Sequence, residues 1–288
     1  MKLFFEKLAF TIYGIIRILL HSKIKPGAAA LKIKEKESCY ILGNGPALVK
    51  DIEGKTDFLT RRTLFVVNFF AKSDLYTKFC PKYYVVADPI FYHDETSLKS
   101  KTAVMELLSV ISQKTTWPLI LFVPSQALEK TRVYFKDNEN IRVVDYNIQP
   151  VKKGFSWFIR WVHDKQLATF GAMNVVNVAL YLAVFLGFEE INLLGINHSW
   201  HLNFIVGSDN LVYQRDYHFD DKKEPELMLV PTDPDRKEPY RLHELLECSA
   251  IAFRNYFFIK DYAESKNVKI YNCCSASFVD AFERKQMI

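Results

Sequence analysis

Tyr40-Ile41-Leu42-Gly43-Asn44-Gly45-Pro46-Ala47-Leu48 reads as a short buried strand that runs through a Gly-Asn-Gly-Pro turn into a helix. That succession opens a β-α unit of a parallel sheet. Two glycines permit close approach of the backbone to a ligand, and Pro46 suits the first turn of a helix. Free N–H groups at such a helix start attract phosphate. A nucleotide sugar or similar phosphorylated donor is therefore the first candidate ligand here. Gly-Asn-Gly also makes ordinary connections, so this turn gains weight only from the polar residues at the other strand ends.

Downstream, apolar runs alternate with helical patterns. Strands are expected at Cys39–Leu42, Thr63–Asn68, Tyr83–Ala87, Leu119–Val123, Ile141–Asp145, Glu190–Leu194 and Val268–Tyr271. Helices are expected at Ser97–Gln113, Gly171–Leu186 and Leu242–Lys266. The pattern predicts an α/β fold: a mostly parallel sheet with helices on both faces and a long lid segment. In such sheets ligands sit outside the carboxyl ends of the strands. The residues there are polar: Gly43-Asn44-Gly45, Asn68, Asp88-Pro89, and Gly195-Ile196-Asn197-His198-Ser199-Trp200. Turn formation and capping explain the Asn and Asp residues, but explain His198, Trp200 and His201 less well.

At 288 residues, with 49% hydrophobic and 15% aromatic side chains, the chain can build one large domain with an appendage at most. Residues 1–38 hold eight basic and three acidic side chains, so the whole net charge of +5 sits in this arm and the remainder is neutral. A nucleic-acid binder would carry its basic patch on the folded domain, so no nucleic-acid partner is expected. The five cysteines (Cys39, Cys80, Cys248, Cys273, Cys274) are odd in number and contain no CxxC pair. They point to buried thiols in a reducing compartment.

Leu3 to Leu20 is apolar except for Glu6, Lys7, Thr11 and Arg17, too charged for a membrane span, and Glu6 interrupts any signal-peptide pattern. Lys2, Glu6 and Arg17 share one side of a helical wheel and leave a wide apolar face. Two placements fit. The helix lies in a membrane interface, helped by the basic run Lys23–Lys36, or it packs on its own domain or on a second subunit of a homo-oligomer. The organisation expected is residues 1–37 as amphipathic helix and basic linker, then 38–288 as a single domain. The expected location is the cytoplasmic, inner face of a membrane, held peripherally.

Residues 202–241 show little periodicity and are expected to form a mobile lid. Asp233-Pro234-Asp235 matches the Asp-x-Asp metal motif formally. It lies between prolines in a charged loop with no strand before it, which favours solvated linker, so no metal is expected.

Gly43-Asn44-Gly45-Pro46, Asn68-Phe69, Gly187 to Asn197, and Val268 to Cys274 followed by Ser277 together resemble the bacterial sialyltransferases of glycosyltransferase family 42. The same pieces resemble a wider superfamily of flagellin-glycosylating motility factors and pterin pyrophosphokinase-like enzymes. The resemblance covers roughly Cys39 to Phe282. It implies a Rossmann-like, GT-A-type transferase fold and metal-independent, inverting transfer from a CMP-activated nonulosonic acid to a bacterial surface glycan, with no cofactor besides the CMP-sugar substrate. By position, Asn44, Gly45 and Asn68 would hold the donor's phosphate and ribose. Thr169-Phe170-Gly171 would face its sugar and base, Asn197 would replace an aspartate used against the nucleoside, and His243 would be the general base.

Two departures accompany it. The family's serine before the long helix is Phe170 here. Its tyrosines that assist the leaving phosphate have no match after Gly195, where Ser199 and Trp200 stand; His198, His201, Tyr217 and His218 are the candidates for that task. A Kdo-like sugar or another nucleotide sugar thus stays open as donor. The chemistry also stands without the family: an imidazole of pKa about 6.5 suits proton removal from an acceptor hydroxyl. Two other functions compete. A Mg²⁺-dependent phosphotransferase would use Asp88 with Asp94 or Asp216, and a non-catalytic nucleotide-binding protein would need no base at all.

Overall fold

The computed structural model describes residues 1–31, 37–92, 98–215, 227–230 and 238–287. The apolar runs become β1 (Ser38–Leu42), β2 (Thr63–Val67), β3 (Tyr83–Val85), β4 (Leu119–Pro124), β5 (Ile141–Tyr146) and β6 (Glu190–Leu194). Then come β7 (Phe204–Val206), β8 (Val212–Arg215), β9 (Leu227–Leu229), β10 (Lys269–Asn272) and β11 (Glu283–Arg284). The helices are α1 (Lys2–His21), α2 (Leu48–Ile52), α3 (Thr56–Leu59), α4 (Leu75–Phe79) and α5 (Leu98–Lys114). They continue with α6 (Leu128–Arg132), α7 (Ser156–Asp164), α8 (Val175–Leu186) and α9 (Leu242–Glu264).

Eight strands form one sheet in the order β11-β10-β6-β1-β2-β3-β4-β5, and every neighbouring pair is parallel. Alternation along β1 sends Cys39 and Ile41 to one face and Tyr40 and Leu42 to the other, and both sets are buried. α8 lies across β1, β2 and β3, and α9 lies on β10. On the opposite face Leu107 and Ile111 of α5 join the core around Tyr40, Leu42 and Tyr84. This is the Rossmann-like α/β arrangement. The chain moves outward from β1 to β5, then returns to place β6 on the other side of β1. The reversal makes the β1/β6 boundary the topological switch point, where a crevice opens at the carboxyl ends.

The segment expected as an aperiodic lid contains regular structure: β7, β8 and β9 pair antiparallel into a small separate sheet. Strands of three or four residues are too short to display a period. Asp216, Tyr217, His218 and the Asp233-Pro234-Asp235 motif lie outside the described residues, as does Asp94.

The stretch after α1, expected as a linker, is fastened to the domain over its described part. Lys23 donates its backbone N–H to Asn147 Oδ1 (2.8 Å), and Asn147 Nδ2 donates back to Lys23 O (2.8 Å). Asp145 accepts from Gly27 N–H (2.7 Å), Lys23 Nζ (3.0 Å) and Ser125 Oγ (2.9 Å). Ala28 is fully buried in the core. Burial alone would raise the Asp145 carboxyl pKa, but these donors outweigh it and hold it below its usual value. The stabilisation is therefore present above the ordinary carboxylate pKa and is lost as pH falls through the depressed one. Asp145→Ala should cost on the order of 2 kcal/mol and speed hydrogen exchange at residues 22–31, measured by mass spectrometry. Unchanged exchange there would show that the side chain does not hold the arm.

Candidate functional site

At the switch point a cleft of about 350 Å³ opens between the turns that follow β1, β2, β3 and β6. Gly43, Asn44, Gly45 and Pro46 line it, with Asn68, Asp88, Asn197, His198 and Ser199. The structure thus brings together nine of the residues singled out from sequence. Met173, Asn174, Val175 and Val176 at the start of α8, and Asn203 and Gln214 from the segment around β7 and β8, also line it.

The glycines are required by the protein's own packing. A Cβ on Gly43 would meet Gly195 O at 2.5 Å, and one on Gly45 would meet Asn197 Oδ1 at 2.3 Å. They let the β1 and β6 turns interlock. Gly43 N–H donates to Leu194 O, Gly45 N–H to Gly195 O (2.8 Å each), Leu48 N–H to Gly45 O (3.0 Å) and Ala47 N–H to Asn197 Oδ1 (3.0 Å). Pro46 has no N–H, and α2 is a single turn of five residues. The anion-binding helix start expected at this turn is therefore largely spent on internal bonds. Asn197 is spent as well: its Nδ2 donates to Ala276 O (2.9 Å) and its backbone carbonyl accepts from Phe278 N–H (2.9 Å). It staples three loops, which fixes the orientation of its amide at the cleft. Behind it, Asp51 accepts from Gly195 N–H (2.8 Å) and Ser275 N–H (2.7 Å).

Asn44 differs. Its Nδ2 donates to Val67 O (3.1 Å), which settles the orientation of the amide, since a carbonyl must receive a donor. Its Oδ1 is buried and has no partner. An unsatisfied acceptor calls for a hydroxyl or amine, not for a phosphate oxygen, so Asn44 suits a ribose or sugar hydroxyl. Asn68 is held in the left-handed region (φ 42°) by Tyr84, whose hydroxyl donates to Asn68 O, and its Oδ1 accepts from Ala87 N–H (3.3 Å). Asp88 caps the turn after β3 through Ile90 N–H (3.0 Å). Burial pushes its carboxyl above the usual value, against the lowering effect of that N–H.

His198 is also left-handed (φ 51°), contacts the Tyr256 hydroxyl through Nε2 and lies on Trp200 with centroids 4.2 Å apart. Burial depresses its pKa to about 3, which favours the neutral imidazole. Tyr256 donates in turn to Asn174 Oδ1 (3.4 Å), and Asn174 caps α8 by accepting from Asn177 N–H (2.9 Å).

Other expected site residues lie elsewhere. Thr169 is buried and donates to Ile148 O. Phe170 stacks on His163 at 3.8 Å between Tyr181 and Tyr262, inside the core, and Gly171 approaches Asn255 and Lys152. Sequence placed the opening of the long helix four residues early; Asn174 is the true cap, and Asn before Val175-Val176 was its signal. His201 packs against Phe278 (4.7 Å) and Phe253. His243 stands exposed in the first turn of α9, outside the lining. Phe253, the residue of α9 beside His198 and Trp200, comes ten residues later, about 15 Å along the helix. Burial pushes the thiols of Cys273 and Cys274 up to about 11 and about 12, away from the thiolate form.

Six carboxamides line the cleft, namely Asn44, Asn68, Asn174, Asn197, Asn203 and Gln214, with Asp88 and no lysine or arginine among the described residues. Nor do any three described His, Cys, Asp or Glu side chains group closely enough to hold a metal ion. No protein-family model and no curated protein sequence matches the chain. Among solved structures it is similar to the MAf glycosyltransferase from Magnetospirillum magneticum AMB-1, at a TM-score of 0.49 and 14% identity over 92% of this chain. The chain spans 35% of that protein's length.

Proposed function

We propose that the protein is a glycosyltransferase that binds a nucleotide-activated sugar in the cleft at the β1/β6 switch point and passes the sugar to a glycan acceptor. The proposal rests on the site rather than on the distant structural likeness. Its carrying observation is the carboxamide lining with the unpartnered acceptor Asn44 Oδ1. Amides offer a donor and an acceptor side by side, which suits sugar hydroxyls and base edges.

The donor's phosphate belongs at the start of α8. Its twelve residues direct their positive dipole end toward the cleft at Asn174–Val176, and first-turn N–H groups stabilise a departing phosphate. The acceptor hydroxyl attacks the anomeric carbon while the bond to the phosphate oxygen breaks and the nucleotide leaves with that electron pair. Asp88 is the ionisable group placed to take the hydroxyl proton, because His198 is bound to Tyr256 and His243 lies outside the cleft. The resemblance in sequence supports a CMP-linked acidic sugar as donor, with inversion and without metal.

Calorimetric titration with CMP, UDP, GDP and ATP, each with and without Mg²⁺, tests this choice. CMP should bind without metal. Binding of ATP alone, and only with Mg²⁺, would place the protein among phosphotransferases. Asn44→Ala should weaken CMP by about 1 kcal/mol, roughly fivefold. An unchanged affinity would remove Asn44 from the donor site.

A further inference from the structure

Two helices beside the β5 edge of the sheet leave a broad apolar surface uncovered. α1 buries only the stripe Thr11, Gly14 and Ile18. Ile18 joins Val151, Phe158 and Val162 in one cluster, and Thr11 Oγ1 accepts from Phe155 N–H (3.0 Å). With 3.6 residues per turn, Phe4, Ile12, Ile15 and Leu19 fall on a second side, and all are exposed, Leu19 by 74%. Lys2, Glu6 and Arg17 take the third side.

The apolar surface continues onto α7. Phe158 and Val162 turn inward there, while Trp157 and Trp161, one helical turn apart, remain 65% and 48% exposed. A run of rings joins the two helices: Phe4 lies 5.5 Å from Phe155, and Phe155 stacks on Trp157 at 6.4 Å. A contiguous exposed patch of this kind marks a docking surface rather than ordinary solvent contact.

Charge selects the occupant. Residues 1–25 and 150–165 together carry nine Lys and Arg against only Glu6 and Asp164, and Asp164 is already paired with Lys266 (2.7 Å). A second copy docking here would set this positive field against itself, whereas anionic lipid complements it. No described helix is long and apolar enough to cross a membrane, so α1 would lie in the plane of the interface. Tryptophan is the side chain that settles at headgroup level.

We propose that α1 and α7 together dock the protein on an anionic lipid surface, with Trp157 and Trp161 seated among the headgroups. The contact thus extends beyond the N-terminal arm to a helix of the transferase-like domain itself. Asp145 and Asn147 fasten the arm at the carboxyl end of β5, and the cleft opens at the carboxyl ends of β1, β2, β3 and β6. For the transferase proposed above, docking would bring that end of the sheet towards an acceptor carried on a lipid; the docking itself does not rest on that function.

Co-sedimentation of the full chain with vesicles of phosphatidylcholine, with and without phosphatidylglycerol, tests the proposal. The chain should pellet with the anionic vesicles, and added salt should weaken this. The double variant Trp157→Ser/Trp161→Ser should lose about tenfold or more in partitioning, with its thermal midpoint and CMP affinity unchanged. Leu19→Ser should weaken binding in the same direction, which guards against a folding defect at the tryptophans. Failure of the full chain to bind, or equal binding by all variants, would overturn the proposal. So would a lipid-free dimer in analytical ultracentrifugation that the double variant dissociates, since a second copy would then cover this face.

Discussion

Asp88→Asn is expected to lower sugar transfer by about 10²–10⁴-fold, the usual cost of losing a general base, while CMP affinity changes little. His243→Ala should turn over at a near-normal rate. The contrast comes from placement, since Asp88 lines the cleft and His243 does not. The pH profile adds a second signature. Burial raises the Asp88 carboxyl, and the base must be ionised to act. The acid limb of kcat/KM should therefore lie above the ordinary aspartate value of about 3.9, with the rate falling as pH drops through it. Asp88→Asn should abolish that limb. Should His243→Ala lose the rate and Asp88→Asn keep it, the base is His243.

The second large effect concerns Asp51, which does not touch the cleft. Its two carboxylate oxygens hold Gly195 N–H and Ser275 N–H, so one side chain braces the turn after β6 and the loop after β10. Asp51→Ala leaves both donors without partners. Hydrogen bonds to a charged group are worth about 1.5–3 kcal/mol each, so a loss on the order of 3 kcal/mol is expected in urea unfolding. Against a stability of about 5–15 kcal/mol for a typical domain this is large, and CMP affinity should fall with it because the β6 turn loosens. A midpoint within experimental error of the parent would show that the brace carries no weight.

The parallel sheet was legible because strands buried on both faces read as unbroken apolar runs, as in Tyr40–Leu42 and Leu64–Val67. The carboxyl-end turns emerged from the same pattern, and nine predicted residues meet in the cleft. What each residue does there was less legible. Gly43 and Gly45 look alike whether a ligand or a neighbouring turn fills the missing Cβ, and only the approach of Gly195 and Asn197 decides between them. Asn197 and Asn44 are the same residue type in similar turns, yet one amide is consumed by Ala47 and Ala276 while the other keeps an unpartnered oxygen. Phe170 was misplaced because helix starts are read to within a few residues, and four residues separate core from cleft. Lys23–Leu31 read as linker since its attachment depends on Asp145 and Asn147, more than a hundred residues away. Gln214 was missed because the strand that carries it is too short to show a period.

A crystal structure with CMP bound tests the central claim most directly. The nucleotide should occupy the cleft between Asn44, Asn68 and Asn174, with a hydroxyl about 3 Å from Asn44 Oδ1 and the phosphate at the first turn of α8. CMP bound instead at the opposite end of the sheet, in the basic cleft beside Arg61, Arg62 and Lys82, with the β1/β6 crevice empty, would contradict it.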